Sequence, residues 1–197
     1  MYLYFYLISI SFIGYGLLAS KILDIKIPSL GIYGILGITF TSILSFISSL
    51  FFHHGYYFNS IFLTIGLLLI FCFLDKLVRL KKEIIILLIV FSTLLIFIFV
   101  AKNHDDFPYY HFPYIAFLTE FSHPIGFGQF NNGFRSPSSI FFLSSTFYLP
   151  GVSIYLFHIL SAIILGFANL VLIEIIFNKK LFRENKYINL YISSKKS

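Results

Sequence analysis

The sequence predicts an all-α integral membrane protein, with about five transmembrane helices and with short interfacial helices in one long outer loop. Composition is the first observation behind this prediction: 58% of the 197 residues are hydrophobic and 11% are charged, whereas soluble domains carry about 25% charged residues. The second is that the charges lie between long apolar runs. Together they exclude a soluble enzyme and a disordered binding segment, and the single Cys72 excludes a disulfide framework.

Five apolar stretches approach the roughly 20 residues that a helix needs to cross a membrane core of about 30 Å. Each lacks a central charge, and they cover residues 1–20, 28–52, 60–74, 84–101 and 152–177. The third is short unless it continues through Val78. The first begins at Met1 with neither a basic leader nor a polar cleavage site, so we expect a retained helix and not a removed signal peptide.

The positions of Lys and Arg predict the orientation of these spans. The connections after the first and third spans are basic, whereas residues 53–59 contain no Lys or Arg. With the basic connections in the cytoplasm, the N-terminus and the segment from Lys102 to about Ser139 lie outside, and the basic tail lies inside. All Lys and Arg residues except Lys102 and Arg135 are then cytoplasmic. We expect the bacterial inner (plasma) membrane, with the loop on its outer side.

These spans divide the chain into four parts. We expect a four-helix transmembrane region, an outer loop with interfacial helices, a fifth transmembrane helix and a basic cytoplasmic tail, at residues 1–101, 102–151, 152–178 and 179–197. Small residues in the second span, among them Gly31, Gly34 and Gly37, predict close helix packing. Glu174 is the one acid inside a predicted span. It lies near the cytoplasmic end, so we favour snorkelling to the interface over a proton or ion site.

Two short helices are predicted within the outer loop. The apolar stretch 140–149 is too short to cross, so we expect a helix on or in the outer interface. From Pro113 the sequence predicts a second interfacial helix, because Pro is tolerated at a first helical position. Its apolar stripe is predicted to contain Tyr114, Phe117, Leu118 and Phe121, with Glu120 on the wetter side.

Residues 102–138 concentrate side chains that carry chemistry, including three of the eight acids and three of the six histidines. Asp105 and Asp106 directly follow the fourth span, near the outer membrane surface. Adjacent carboxylates repel, and a shared cation or proton holds them together; an ordinary polar collar is the alternative. The histidines lack HExxH or comparable spacing, which disfavours a transition-metal site. The turn-rich residues 126–134 lead to Arg135, whose guanidinium suits bidentate binding of phosphate.

Residues 95–180 resemble the first outer loop of the GT-C superfamily of integral-membrane glycosyltransferases, especially its protein-mannosyltransferase-like and aminoarabinose-transferase-like branches. The likeness lies in the acidic pair after a span, the aromatic interfacial helix, the Gly/Asn-rich turn with a basic residue, and Ser136-Pro137-Ser138-Ser139-Ile140 before a short apolar helix. Asp105 or Asp106 matches the loop acid of that family, a catalytic base or metal ligand, and Pro137 matches a motif proline. Because family members have eight or more spans and meet this loop after their first, we expect an N-terminal fragment with added helices or a shortened relative.

The resemblance implies transfer of a sugar from a polyprenyl-phosphate donor to an acceptor hydroxyl at the outer membrane face. Asp105 and Asp106 are then the expected catalytic residues and the ligands of a divalent cation, Mg²⁺ or Mn²⁺. The expected substrate-binding residues are Arg135, Lys102, His104 and His111. Membrane lipid and the donor are the expected partners, and nucleic acid is not. The alternative is a non-catalytic multi-span subunit whose outer loop docks other membrane subunits. A transporter ranks lowest, because the spans lack polar or broken midplane segments.

Overall fold

The structure of the protein is a computed structural model. It describes residues 2–25, 29–78, 80–100, 105–123, 126–129, 132–135, 138–152, 156–157 and 159–177. Within these ranges every regular element is helical and no strand occurs. The all-helical class predicted from the sequence is therefore confirmed.

The long helices are α1 (Tyr2–Ile22), α2 (Leu30–Ser49), α3 (Tyr56–Cys72), α5 (Lys81–Val100) and α8 (Ile159–Phe177). A short helix, α4 (Leu74–Val78), follows α3. Between α5 and α8 lie a wide π-helical turn at Phe107–His111, α6 (Phe112–Glu120), two 3-10 turns at Phe127–Gln129 and Asn132–Phe134, and α7 (Ser139–Ser145). The regular part of the last helix starts later than the predicted Val152. A turn with positive φ at Gly151 and a short 3-10 segment at residues 156–157 precede it.

Three described helices are long and apolar enough to cross a membrane, at Leu3–Ile22, Leu30–Ser49 and Ile159–Phe177. This agrees with a membrane protein. Of the other two predicted spans, α3 is apolar but has 17 residues, and α5 begins with Lys81, Lys82 and Glu83. The number of five spans therefore stays a prediction.

Helix α1 lies at the centre of the bundle. It packs against α2 and α3, and it meets α5 where the Phe5 ring lies 5.5 Å from that of Phe91 and where Tyr6 Oη lies 2.7 Å from Ser92 Oγ. Helix α8 packs against both α2 and α5. A helix that is apolar all round suits such a central position. The core thus consists of α1, α2, α5 and α8, with α3 attached to α1.

Glycines bring the helix backbones into direct contact. A Cβ atom on Gly37 would lie 1.7 Å from the carbonyl oxygen of Phe12, and one on Gly16 would lie 1.7 Å from that of Tyr33. A Cβ atom on Gly34 would overlap the Phe167 ring at 2.1 Å. Since a side chain at any of these positions would force the helices apart, the predicted close packing through the small residues of α2 is confirmed.

The bundle has two chemically different ends. At the basic end, Lys21 and Lys76 approach the Phe73 ring, with their Nζ atoms 5.9 Å and 5.4 Å from its centroid. At the other, which we call the loop end, the start of α1 meets the segment after α7, because Tyr4 Oη donates to the Pro150 carbonyl at 2.9 Å. Among the described residues, Arg135 is the one Lys or Arg at the loop end.

Glu174 closes the basic end in a way that differs from the sequence expectation. Its side chain is 2% exposed and accepts hydrogen bonds from the Ser29 hydroxyl and from the backbone N–H groups of Leu30 at 3.1 Å and Gly31 at 3.3 Å. The predicted snorkelling to the interface is therefore wrong. The carboxylate instead caps the first turn of α2, where N–H groups lack intrahelical partners and the helix dipole favours negative charge.

Candidate functional site

Helix α6 carries the acidic side of the loop. Pro113 lies in its first turn, as predicted, and Tyr114 and Leu118 of the predicted stripe are buried while Glu120 is exposed. The face differs in one respect, because Ile115 and Thr119 complete the buried surface while Phe117 is half-buried and Phe121 is exposed beyond the helix end. The buried face packs against α7. The packing of α6 against α7 therefore determines which face is buried, and this face differs from the predicted apolar stripe.

The acidic pair lies immediately before the π-helical turn. Asp105 and Asp106 are both exposed. The carbonyl oxygen of Asp106 accepts from the N–H groups of Tyr109 at 3.2 Å and Tyr110 at 3.3 Å, and Pro108 lies in the same turn. The turn continues directly into α6. Asp105 and Asp106 are thus presented to solvent at the start of a fixed helical segment.

Arg135 follows a compact double turn. Its Nε atom donates to the Gly128 carbonyl at 3.4 Å, and a Cβ atom on Gly128 would lie 3.1 Å from Arg135 Cα. The same turn folds back onto the acidic side of the loop, since a Cβ atom on Gly133 would lie 2.7 Å from Tyr110 Cβ. The Phe134 ring is 5.5 Å from that of Tyr114. The backbones that carry Arg135 and the acidic pair therefore converge.

Of the remaining predicted site and motif residues, the structure describes His111. No ion pair joins Asp105 to Arg135 among the described residues. His111 lies in the π-helical turn, with its ring 5.0 Å from that of Phe141 in α7 and 4.3 Å from that of Tyr110. Lys102, His104 and the motif residue Pro137 lie outside the described residues.

Carboxylate oxygens are suitable ligands for Mg²⁺ or Mn²⁺, and the exposed pair Asp105 and Asp106 supplies them. In the part of the chain that the structure describes, no group of three or more His, Cys, Asp or Glu side chains is arranged to hold a metal ion. The pair alone fits a weakly held, solvated cation and not a closed metal centre. The divalent cation stays a prediction.

A buried polar cluster that the sequence does not predict lies at the loop end. His54 is 0% exposed and lies in the connection between α2 and α3. Its backbone N–H donates to the Leu118 carbonyl at 2.8 Å. Its ring nitrogens meet two hydroxyls, with Nδ1 2.5 Å from Ser145 Oγ and Nε2 2.9 Å from Ser48 Oγ. The signal for this cluster was the polar dipeptide His53-His54 between two apolar helices, but no sequence pattern pairs it with α6 and α7.

Each serine hydroxyl has a backbone carbonyl acceptor besides the His54 ring. Ser145 Oγ donates to the Phe142 carbonyl at 2.7 Å, and Ser48 Oγ donates to the Ser45 carbonyl at 3.1 Å. A neutral imidazole has one N–H donor and one acceptor nitrogen, so the ring meets one serine as a donor and the other as an acceptor. Burial lowers the pKa of His54 to about 4, with the Phe142 backbone opposing this and repulsion from His53 adding to it. His54 is thus neutral at physiological pH.

Asn59 completes this polar cluster. Its Nδ2 atom lies 2.6 Å, 2.9 Å and 2.8 Å from the carbonyl oxygens of His54, Ser145 and Tyr148. Asn59 Oδ1 and Ser144 Oγ are buried and have no hydrogen-bond partner among the described residues. Unpaired polar atoms in a protein interior cost free energy, so buried polar side chains must keep the positions in which their hydrogen bonds form. The cluster of His54, Ser145 and Asn59 therefore indicates one fixed geometry at the loop end.

Exposed aromatic side chains surround the loop end. We call them the aromatic rim: Phe51, Phe52, Tyr56, Tyr57, Tyr109 and Phe121. Tyr57 is 90% exposed and Tyr109 is 73% exposed. Tyr side chains are enriched where a membrane meets water, because the ring is apolar and the hydroxyl is polar. The rim is therefore typical of a surface at headgroup level.

A protein-family model described as "Domain of unknown function (DUF8201)" matches residues 1–194 of the chain. No curated protein and no solved structure shows significant similarity to the chain.

Proposed function

Because the chain belongs to the family of the domain of unknown function DUF8201, whose description assigns no activity, we propose its function from its own residues. We propose that it is a membrane glycosyltransferase, or a part of one, that transfers a sugar from a polyprenyl-phosphate donor to an acceptor hydroxyl. The resemblance of residues 95–180 to GT-C enzymes is the starting point. The convergence of the loop is the observation that carries the proposal.

That convergence is the contact between Gly133 and Tyr110. It brings the turn before Arg135 against the helical segment that begins after Asp106. A site for this reaction needs a carboxylate near the acceptor and a cation near the leaving phosphate. Asp105, Asp106 and Arg135 are all exposed on adjoining parts of one folded segment, which supports their use in one site.

The proposed topology has five spans, with the N-terminus and the loop end on the outer side of the bacterial inner membrane. Two features support this orientation. The described Lys residues all lie at the basic end. Membrane proteins carry an excess of Lys and Arg on the cytoplasmic side, which supports a cytoplasmic position for this end. The aromatic rim gives the loop end the composition of an interface. Helix α3 would complete its crossing with the help of α4, from which Lys76 can snorkel.

In the proposed reaction the acceptor oxygen attacks the anomeric carbon and its proton passes to the Asp105 carboxylate. The bond from the anomeric carbon to the phosphate oxygen breaks, and the lipid phosphate leaves with the electron pair. Arg135 stabilises the charge that develops on this phosphate, with Lys102, His104 and His111 as further donor-binding residues. A divalent cation at Asp105 and Asp106 would add charge stabilisation. Displacement in one step inverts the anomeric centre.

A second candidate function is a non-catalytic membrane subunit that docks a protein partner through its loop end. The aromatic rim is the observation that favours it, because large exposed aromatic side chains are enriched at protein interfaces. The two candidates differ in whether the loop end recognises phosphate.

Binding of polyprenyl phosphate to the purified protein in detergent tests the proposal. We expect wild-type protein to bind it more tightly than polyprenol, and Arg135→Ala to weaken binding about tenfold, since a hydrogen bond to a charged group contributes about 1.5–3 kcal/mol. Lys21→Ala, at the basic end, is the matched control and should bind as wild type does. Equal binding of polyprenol and polyprenyl phosphate, unaffected by Arg135→Ala, would favour the docking subunit.

A further inference from the structure

His54 is hydrogen-bonded to both chain segments that flank the candidate site. Its backbone N–H donates to the Leu118 carbonyl of α6, and its ring is hydrogen-bonded through Nδ1 to Ser145 Oγ of α7. A third bond, between the other ring nitrogen and Ser48 Oγ, joins the same residue to the end of α2. One residue therefore joins α2 and α7 through its ring and α6 through its backbone.

These two helices carry the two halves of the candidate site. Helix α6 continues from the turn that begins after Asp106, and α7 begins at Ser139, shortly after Arg135. A change in the angle or distance between α6 and α7 would therefore change the separation of the acidic pair from Arg135. Catalysis by positioned groups is sensitive to displacements of about 1 Å.

The bonds of His54 suit a constant geometry. The residue is completely buried, so water cannot replace a broken bond. Its ring also stacks on the Phe58 ring, with centroids 5.0 Å apart and an interplanar angle of 6°, which fixes the ring plane. The neighbouring His53 is exposed and provides a comparison at the next position in the chain.

We propose that His54 is a positioning residue that fixes α6 relative to α7 and thereby holds Asp105 and Asp106 at a constant distance from Arg135. The catalytic consequence rests on the proposed function, but the fixed arrangement of the two helices does not.

Double electron–electron resonance, which measures the distance between two spin labels, tests this role. The labels are attached to cysteines at the exposed positions Glu120 and Ser139, in protein in which the exposed Cys72 is replaced by Ser. We expect one narrow distance distribution for the otherwise unchanged protein, its loss in His54→Ala, and no change in His53→Ala. His54→Asn should restore the narrow distribution, because its amide offers both a donor and an acceptor to Ser145 in place of Nδ1.

A second label pair, at Leu23 and Ile176, reports whether the basic end of the bundle stays folded, and it should not respond to any of these changes. If His54→Ala does not fold, Ser145→Ala removes the partner of the His54 ring on α7, together with a local bond to the Phe142 carbonyl, and should broaden the 120–139 distribution by itself. An unchanged narrow distribution in both His54→Ala and Ser145→Ala would overturn the proposal, as would failure of His54→Asn to restore it. Because these distances are measured without substrate, a lack of sugar transfer would affect the proposed function alone.

Discussion

The side-chain amide of Asn59 donates to the main-chain carbonyl of Ser145 at 2.9 Å, although 86 residues separate them in the sequence. The same nitrogen faces the carbonyl oxygens of His54 and Tyr148. An amide nitrogen has two protons, so three carbonyls share them, and the first turn of α3 is fixed to the turn after α7. This relationship makes Asn59 a critical residue for the loop end.

Replacing Asn59 should therefore destabilise the protein strongly. Asn59→Leu leaves three buried carbonyls without this donor, and we expect a loss of about 2–3 kcal/mol. Asn59→Asp should be worse, because a carboxylate would face three carbonyl oxygens. Thermal unfolding in detergent, followed by circular dichroism, measures both. Thr64→Ala is the control, since among the described residues the exposed Thr64 hydroxyl bonds to the Ser60 carbonyl of its own helix. An unfolding midpoint for Asn59→Leu equal to that of Thr64→Ala would contradict the assigned role.

The cap formed by Glu174 predicts coupling between α8 and the start of α2. Glu174→Ala should destabilise the protein by about 2 kcal/mol, because it removes a helix cap and leaves buried N–H groups unpaired. Ser29→Ala should cost less in the Glu174→Ala background than in wild type, and a double-mutant cycle measures this difference. Asp75→Asn, an exposed acid in α4, should have little effect. Strictly additive losses would show that Ser29 and Glu174 do not interact.

The buried His54 predicts a dependence of stability on pH. Burial lowers the pKa of its imidazole from the usual 6.5 to about 4. Above pH 6.5 neither the folded nor the unfolded form is charged, so His54 makes no contribution. Between pH 6.5 and 4 the unfolded chain binds a proton that the folded protein refuses, so stability falls by up to about 3 kcal/mol.

Unfolding midpoints between pH 4 and 7 measure this effect. Burial also lowers the pKa of His123, so the informative quantity is the difference in slope between wild type and His54→Asn. The slope should be smaller in His54→Asn and unchanged in His53→Ala. Equal slopes in all three proteins would contradict a buried neutral imidazole at position 54.

The proposed orientation predicts which positions react from outside the cell. In protein with Cys72→Ser, cysteines at Tyr57 and Tyr109 should react with a membrane-impermeant maleimide in intact cells, because both side chains lie exposed in the aromatic rim. A cysteine at Lys81 should react only after permeabilisation. The reverse pattern would place the loop end in the cytoplasm.

Much of the fold follows from local sequence. Long apolar runs predict the helices, because a membrane-length run of apolar side chains has few other structures available. The Gly residues of α2 predict its close contacts, and Glu120 is exposed as its charge requires. The separation of a basic end from a loop end also follows from the positions of Lys and Arg.

The contacts between distant segments, including those around the candidate site, do not follow from local sequence. Ser29 and Glu174 meet, as do His54 and Ser145, because helices far apart in sequence pack side by side, and no periodicity encodes this pairing. The apolar stripe read from the sequence contains Phe117 and Phe121. The buried face of α6 contains Ile115 and Thr119 instead, because burial depends on how α6 packs against α7. Sequence alone therefore predicted the acidic pair and Arg135 as a candidate site, but it did not predict the buried cluster that is hydrogen-bonded to the segments between them.

The rate at which polyprenyl phosphate is released from polyprenyl-phosphate-linked sugars in the presence of a hydroxyl acceptor, with the protein in lipid nanodiscs, tests the proposed activity most directly. We predict release by wild type, a loss of about 10²-fold or more in Asp105→Asn with donor binding retained, and a smaller loss in Asp106→Asn. Glu120→Gln, an exposed acid of the same loop, should keep wild-type activity. Wild-type release by the Asp105→Asn, Asp106→Asn double variant, or no release by wild type with any donor, would contradict the account and leave the docking subunit as the better explanation.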